Sequence, residues 1–374
     1  MRFVIINTDY STFTRALYGR HASLARASYA TQMRVRNESL FGLANFNSKN
    51  LRKLGHNAWD VHANSEPMQR AWAAEHGVRL CEQCGRGQGL FPWRRRAAAN
   101  WLHTALAAQL RHYQPDVVIN YNPLLIGGQF LRQVVDSSAM VIGFHAAVIP
   151  AGADFGGHDL MLSAAPSFVA YFRSLGFPSR LLHFAFEPET LATLAPPKRR
   201  CGVCFAGHLS QEHASRRALL HQISAQFPID IYCDDPAGVD RDSPIHSRLR
   251  DAVWGLDMLR VMGASAITLN NHIDVAGPDA GNMRLFEATG VGTMLLTDWK
   301  SNLQELFEPG REVITYRDPQ HCTELIRYYA AHSEQRESVA QAGQQRTLSH
   351  HTYLHRMREI VEMVQENRSQ RRAA

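Results

Sequence analysis

ASAITLNNHIDVAGPDAGNMRLFEATGVGTMLLTD, residues 264–298, contains a complete strand, loop, helix and strand, and its reading decides the fold. Ile267–Leu269 is a short apolar run that delivers Asn270, Asn271 and His272 to a polar loop carrying Gly277 and Gly281. Asn282 is a good N-cap for the helix that bears Arg284 and Glu287. The chain then returns to an apolar strand in TMLLTD. Strands that are apolar along their whole length are covered on both faces, the pattern of a parallel sheet between helices.

The same alternation extends outward in both directions. On the C-terminal side lie the strand EVITY and helices over about 320–331, 334–343 and 352–365. On the N-terminal side come VCFAG, a helix over about 212–227, IDIYC and the helix GLDMLRVMG. Periodicity breaks at FEPETLATLAPPKRRCG, where Pro196, Pro197 and a basic run mark a linker. Before the break the order is RFVIIN, a polar stretch from Tyr10 to Arg36, a helix over about 38–54 ending at Gly55, and the helix AAANWLHTALAAQLRHY. DVVINYN, a helix near 129–135, AMVIGFH, DLMLSA, a helix over 167–175 and RLLHFAF complete that half. The class is therefore α/β, with two doubly wound halves. The boundaries expected are 1–190, 200–345, and a closing segment 346–374.

A chain of 374 residues exceeds one ordinary core, in keeping with two domains. Hydrophobic content of 45% with 20% charged residues excludes a disordered chain. MRFVIINTDYSTF is no secretory signal and no stretch approaches the roughly 18 apolar residues of a membrane span, so a cytoplasmic location is expected. The net charge of +6 suits an anionic ligand or peripheral contact with an anionic membrane. Nucleic acid is not expected, because the basic clusters at 94–96, 198–200 and 368–372 read as solvated segments. Cys81-x-x-Cys84 and Cys201-x-x-Cys204 lie much too far apart for a zinc ribbon. Free thiols are the expectation, with the first pair the one conceivable redox or metal feature.

Open parallel sheets bind ligands at the carboxyl ends of their strands, so the chemistry is sought in strand-to-helix loops. In VCFAGHLSQEHASRRALL, Gly207 permits close approach of backbone to a ligand, with His208 beside it. Arg216 and Arg217 follow on the next helix and suit a phosphate; read blandly, they are a turn glycine and surface arginines. In the opening segment, freed amides at the start of the helix would face an anion, and Arg284 adds positive charge. Glu287 lies three positions on, where it could take both hydroxyls of a ribose or simply form a surface ion pair with Arg284. His145, at the end of AMVIGFH, stands where a general base could stand. Asp240-Arg-Asp242 and Asp234-Asp235 read as ordinary turns, and no metal site is expected. There is no G-x-G-x-x-G after a strand, no Walker A motif and no nucleophile-elbow serine, which counts against dehydrogenase, NTPase and hydrolase classes.

GLDMLRVMGASAITLNNH, NMRLFEATGVGTMLLTD, LQELFEPGREVITY and AQAGQQRTLSHHTYLHRM occur in that order. Together they resemble the C-terminal domain of the CgeB-like, spore-maturation-type glycosyltransferases, relatives of the group-1 (family 4-like) glycosyltransferases of GT-B fold. FGLANFNSKNLRKLGH and RHYQPDVVIN are similar in outline only. The resemblance implies two Rossmann-like domains facing across a cleft and hexosyl transfer from a nucleotide-diphosphate sugar such as a UDP-sugar, without cofactor or metal. It implies donor binding by Gly207, Arg284 and Glu287, with Glu287 on the ribose and Arg216 or Arg217 beside the diphosphate; the reading of the loops adds His208, Asn270 and Asn282 to the donor site. Asp279, eight positions before Glu287, falls where these transferases usually carry a sugar-contacting glutamate. His145 would then be the base presented by the acceptor domain, and the last helix would cross back onto that domain. A nucleotide-sugar epimerase or hydrolase of the same fold, or a non-catalytic nucleotide-sugar-binding protein, are the competing expectations.

Overall fold

The computed structural model describes residues 1–80, 100–194, 201–210 and 213–373. The Cys81–Cys84 pair, the Arg94–Arg96 run and the Pro196–Arg200 part of the linker lie outside the described residues. The first sheet comprises β1 (Arg2–Asn7), β2 (Asn57–His62), β3 (Val117–Asn120), β4 (Met140–Phe144), β5 (Leu160–Ser163) and β6 (Ser179–Leu181). Its spatial order is β2-β1-β3-β4-β5-β6, and every pair is parallel. The second comprises β7 (Val203–Ala206), β8 (Asp230–Tyr232), β9 (Leu249–Arg250), β10 (Ile267–Leu269), β11 (Met294–Asp298) and β12 (Ile314–Tyr316). It is also all-parallel, in the order β12-β11-β10-β7-β8-β9.

Counted from β7, that second order is the dinucleotide-fold arrangement 3-2-1-4-5-6, and its winding reverses between β7 and β10. The loops after those two strands therefore diverge and leave a crevice. β3, β4, β5, β7 and β10 are buried at every position, which explains their largely apolar runs.

The chain passes between the domains twice, at Phe186 and at Thr352, and the crossings are tied together. Phe186 N–H donates to the His351 carbonyl at 2.9 Å, and Tyr353 N–H donates to the Phe186 carbonyl at 3.1 Å. Beyond them the helix Tyr353–Ala373 returns to the first domain, where Met357, Ile360 and Val364 join Phe3, Ile5 and Ile142 in one core.

Several elements depart from the expectation. The Tyr10–Arg36 stretch contains the helices Ser11–Arg20 and Tyr29–Glu38. The apolar face of the first is short, Phe13 and Leu17, because it packs in part on Trp254 of the other domain. The next helix begins at Phe46, not near Glu38. Leu40, Gly42 and Ala44 all have positive φ there, which a continuing helix does not permit. β2 and the helix Glu66–Glu75, absent from the sequence reading, complete the first domain's edge. RLLHFAF is a strand only at its start, since β6 ends at Leu181 and the rest leads into the crossing.

Candidate active site

The carboxyl ends of β7 and β10 bring Gly207, His208, Asn270, Asn271 and His272 together, and Arg216 joins the two loops. From the helix Ala214–Gln226, its Nη1 donates to the His208 carbonyl at 2.8 Å and its Nη2 to the Asn271 carbonyl at 2.7 Å. The guanidinium lies 5.4 Å from the Phe205 ring centroid and is buried, with Nε lacking a hydrogen-bond partner among the described residues. Among the described residues no carboxylate contacts it. Burial lowers its pKa to about 10, so at neutral pH it remains a cation whose charge is uncompensated by direct contact. A Cβ at Gly207 would come 3.1 Å from the Phe205 ring and 3.7 Å from Arg216 Nη1. Arg217 turns away and donates to the carbonyls of Leu209 and Ser210, bracing the loop from outside.

The other wall is the start of the helix Met283–Gly290. Asn282 occupies the N-cap position, but its side chain makes no cap hydrogen bond. It exchanges hydrogen bonds with Asn270, which also donates to Thr297 Oγ1 at 3.0 Å. The first-turn amides are thus left without a side-chain cap, as an anion would require. His272 is locked nearby: Nδ1 is 2.7 Å from Asp298 Oδ1, and Nε2 accepts from Gly281 N–H at 3.3 Å. Burial acts to raise the Asp298 pKa, but its hydrogen bonds and charge contacts with His272, together with Lys300, hold it below the usual range. His272 was legible only as a loop residue, since the partner that fixes it is twenty-six positions away in sequence.

Arg284 and Glu287 form an ion pair at 2.7 Å, with side chains 16% and 13% exposed, so the pair is not a surface one. The guanidinium also donates to the Ala206 carbonyl at 3.1 Å and contacts the sulfurs of Met258 and Met262. Arg284 therefore fixes Glu287 against the end of β7 instead of extending into the crevice. Only Oε2 of Glu287 takes a hydrogen bond among the described residues.

Asp279 reaches the first domain. Its Oδ2 accepts from Ser167 N–H at 2.8 Å, capping the helix Pro166–Ser174 across the cleft. Gly281 touches the Ala164 carbonyl so closely that no Cβ would fit. His145 follows β4 on the same face of the first domain and packs against Phe155 and Phe168, with centroids 5.7 and 6.2 Å away. Its Nε2 lies 2.9 Å from the Ala147 carbonyl and so carries the proton, leaving the lone pair on Nδ1. Burial depresses its pKa and backbone hydrogen bonds oppose that only in part, so the ring is neutral at physiological pH. The structure places His145 in no direct side-chain contact with the β7 and β10 loops among the described residues.

Cys201 is exposed and Cys204 buried, the latter 3.5 Å from Thr268 Oγ1, so the two thiols face different environments. Among the described residues no helix is long and apolar enough to cross a membrane.

Residues 214–362 match a family model described as glycosyl transferase-like. No curated protein matches the sequence significantly. Among solved structures the chain is similar to Anabaena Alr3699/HepE in complex with UDP-glucose, at TM-score 0.59 and 10% identity, covering 98% of this chain and 100% of that one. It is similar to sucrose-phosphate synthase from Thermosynechococcus elongatus, at TM-score 0.57 and 13% identity over 100% of both chains. UDP-GlcNAc 2-epimerase from Neisseria meningitidis, bound to UDP-GlcNAc, matches at TM-score 0.54 and 11% identity over 98% of this chain and 100% of that one. The fold is GT-B. The likeness to solved structures extends along nearly the whole GT-B chain, while the glycosyl transferase-like segment covers most of its second domain and the first part of the returning helix.

Proposed function

We propose that this GT-B protein is a glycosyltransferase that moves a hexosyl group from a nucleotide-diphosphate sugar to an acceptor hydroxyl, without a metal. The observation that carries the reading is Arg216: a buried cation with no carboxylate contact among the described residues, bridging the two loops at the point where the winding of the second sheet reverses. A departing diphosphate supplies the missing negative charge, and the uncapped start of the helix Met283–Gly290 supplies amide donors on the opposite wall. Glu287, held by Arg284 with one oxygen unengaged among the described residues, suits a ribose diol. The UDP-sugars bound in the solved relatives favour uridine as the base. The acceptor, a glycan, protein or small molecule, would approach along the face of the first domain that carries His145. In an inverting transfer His145 Nδ1 takes the hydroxyl proton; in a retaining one the donor phosphate takes it and His145 orients the hydroxyl. Asp279 would act on the sugar through Oδ1, with Oδ2 kept on its cap at Ser167. The CgeB-like subtype, a cytoplasmic location and peripheral membrane contact belong to the same reading.

Donor turnover with a panel of nucleotide sugars tests it. The expected products are free nucleoside diphosphate and transferred or hydrolysed sugar. Nucleoside diphosphate should raise Tm in the wild type and leave the Arg216→Met variant unmoved. An epimerised nucleotide sugar would instead establish the activity of the Neisseria relative. Binding without turnover for any acceptor would establish a non-catalytic binding protein. If no nucleoside diphosphate shifts the wild-type Tm, the reading is wrong.

A further inference from the structure

Asp234 stands just beyond β8, on the same edge as Gly207, and its carboxylate serves both domains. Oδ1 lies 2.8 Å from His208 Nδ1. Oδ2 accepts from Thr12 Oγ1 at 3.1 Å, and Thr12 belongs to the first-domain helix Ser11–Arg20. Asp234 itself is nearly covered, whereas the His208 side chain is 39% exposed. With Nδ1 turned to the carboxylate, Nε2 is the ring nitrogen available to a ligand, and it has no hydrogen-bond partner among the described residues. The ring cannot swing freely. Tyr10, also from the first domain, meets it edge-on at a centroid distance of 5.3 Å, and the His208 carbonyl is held by Arg216.

We propose that Asp234 is a positioning residue. It orients the His208 imidazole so that, with a proton on each ring nitrogen in the bound state, Nδ1–H donates to Asp234 and Nε2–H donates to the terminal phosphate of the donor, and Thr12 makes that orientation depend on the two domains being together. A carboxylate that fixes the direction of a ligand-binding imidazole is a recurrent device. Here the residue that fixes the carboxylate comes from the opposite domain. Closure of the acceptor domain thereby completes the phosphate site, and an open molecule holds the diphosphate less tightly. The proposal rests on the reading above that a nucleoside diphosphate lies between the β7 and β10 loops.

Calorimetric titration of ADP, GDP, UDP and TDP against the matching monophosphates tests it. The His208→Ala and Asp234→Asn variants should each weaken diphosphate binding about tenfold while leaving the monophosphate within about twofold. Because Asp234 acts through His208, the double variant should be no weaker than His208→Ala. Thr12→Val, which removes one hydroxyl from a surface helix, should weaken the diphosphate about threefold, and Asp242→Asn in the exposed turn serves as a control. A wild type that binds no nucleotide defeats the donor-site reading and the proposal with it. A wild type that prefers diphosphate, with the same preference kept in both single variants, defeats the proposal alone. Additive losses in the double variant also defeat it, since Asp234 would then act independently of His208.

Discussion

At the residue scale, Glu287 shows how one side chain can be both structural and ligand-facing. Its Oε2 neutralises Arg284, and removing that oxygen would leave a guanidinium with little solvent beside the sulfurs of Met258 and Met262. Glu287→Ala therefore confounds stability with binding, because an unpaired charge at low exposure is costly. Glu287→Gln separates them. The amide oxygen still accepts from Arg284, so Tm should fall less than in Glu287→Ala, whereas a ribose diol loses its charged acceptor. Hydrogen bonds to charged groups contribute about 1.5–3 kcal/mol, so nucleotide binding should weaken about tenfold or more. Calorimetric titration of the two variants beside their melting curves would check this. Unchanged affinity in Glu287→Gln would remove Glu287 from the donor site. The sequence marked this helix start as a candidate site but assigned Arg284 to the ligand. The reason lies in the tertiary structure, since the Ala206 carbonyl that Arg284 engages is seventy-eight positions away.

At the element scale, the helices against the domain crossing tolerate very little added volume. Gly290 closes the helix Met283–Gly290, and a Cβ there would fall within the buried Phe186 ring of the first crossing. Phe186 is held on both sides by backbone hydrogen bonds and has nowhere to move. Gly290→Ala should cost about 1–3 kcal/mol through overpacking. The same substitution at Gly19, in a helix where a Cβ would meet nothing, should stabilise by up to about 1 kcal/mol. Chemical denaturation of the pair should give shifts of opposite sign. Elements were legible wherever a strand is mostly apolar, as in VVIN, MVIGF and LMLS, because burial on both faces leaves a signal no surface segment has. They were hidden where polar side chains are buried. The helix Tyr29–Glu38 buries Gln32 and Arg36, and Arg36 forms its ion pair with Asp9, whose pKa is strongly depressed: burial works against that, and His62 and Arg36 overcome it. β2 was missed for a related reason, as Asp60 and His62 point inward among its apolar residues.

At the scale of the whole molecule, the two crossings make domain integrity sensitive to acid. His351 sits at the second crossing between the rings of Phe286 and Phe307. Its Nε2 is 2.9 Å from the Leu306 carbonyl, and Arg356 donates to Nδ1 at 2.8 Å, so the geometry admits only the neutral Nε2–H tautomer. Burial is the main cause that lowers its pKa to about 3; the Leu306 hydrogen bond opposes this, and Arg356 and Arg346 reinforce it. An unfolded histidine titrates near 6.5. Between those values the unfolded chain binds a proton that the folded chain refuses, so stability falls as pH drops below about 6.5 and levels off only near 3. Within that window one such group changes stability by about 1.4 kcal/mol per pH unit, or about 2 kcal/mol between pH 7 and 5. His183, nearby and lowered by burial to about 4, acts in the same direction. His351→Gln can still donate to Leu306 and does not titrate. Urea unfolding at pH 7 and pH 5 should therefore show the wild type losing about 2 kcal/mol more than the variant over that interval. Because His351 supports both the second-domain core and the hydrogen bond to Phe186, the acid-induced loss should also appear as separation of the domains. Small-angle scattering near pH 5 should show that expansion in the wild type and a smaller one in His351→Gln. Equal acid sensitivity in the two proteins would place the titrating group elsewhere.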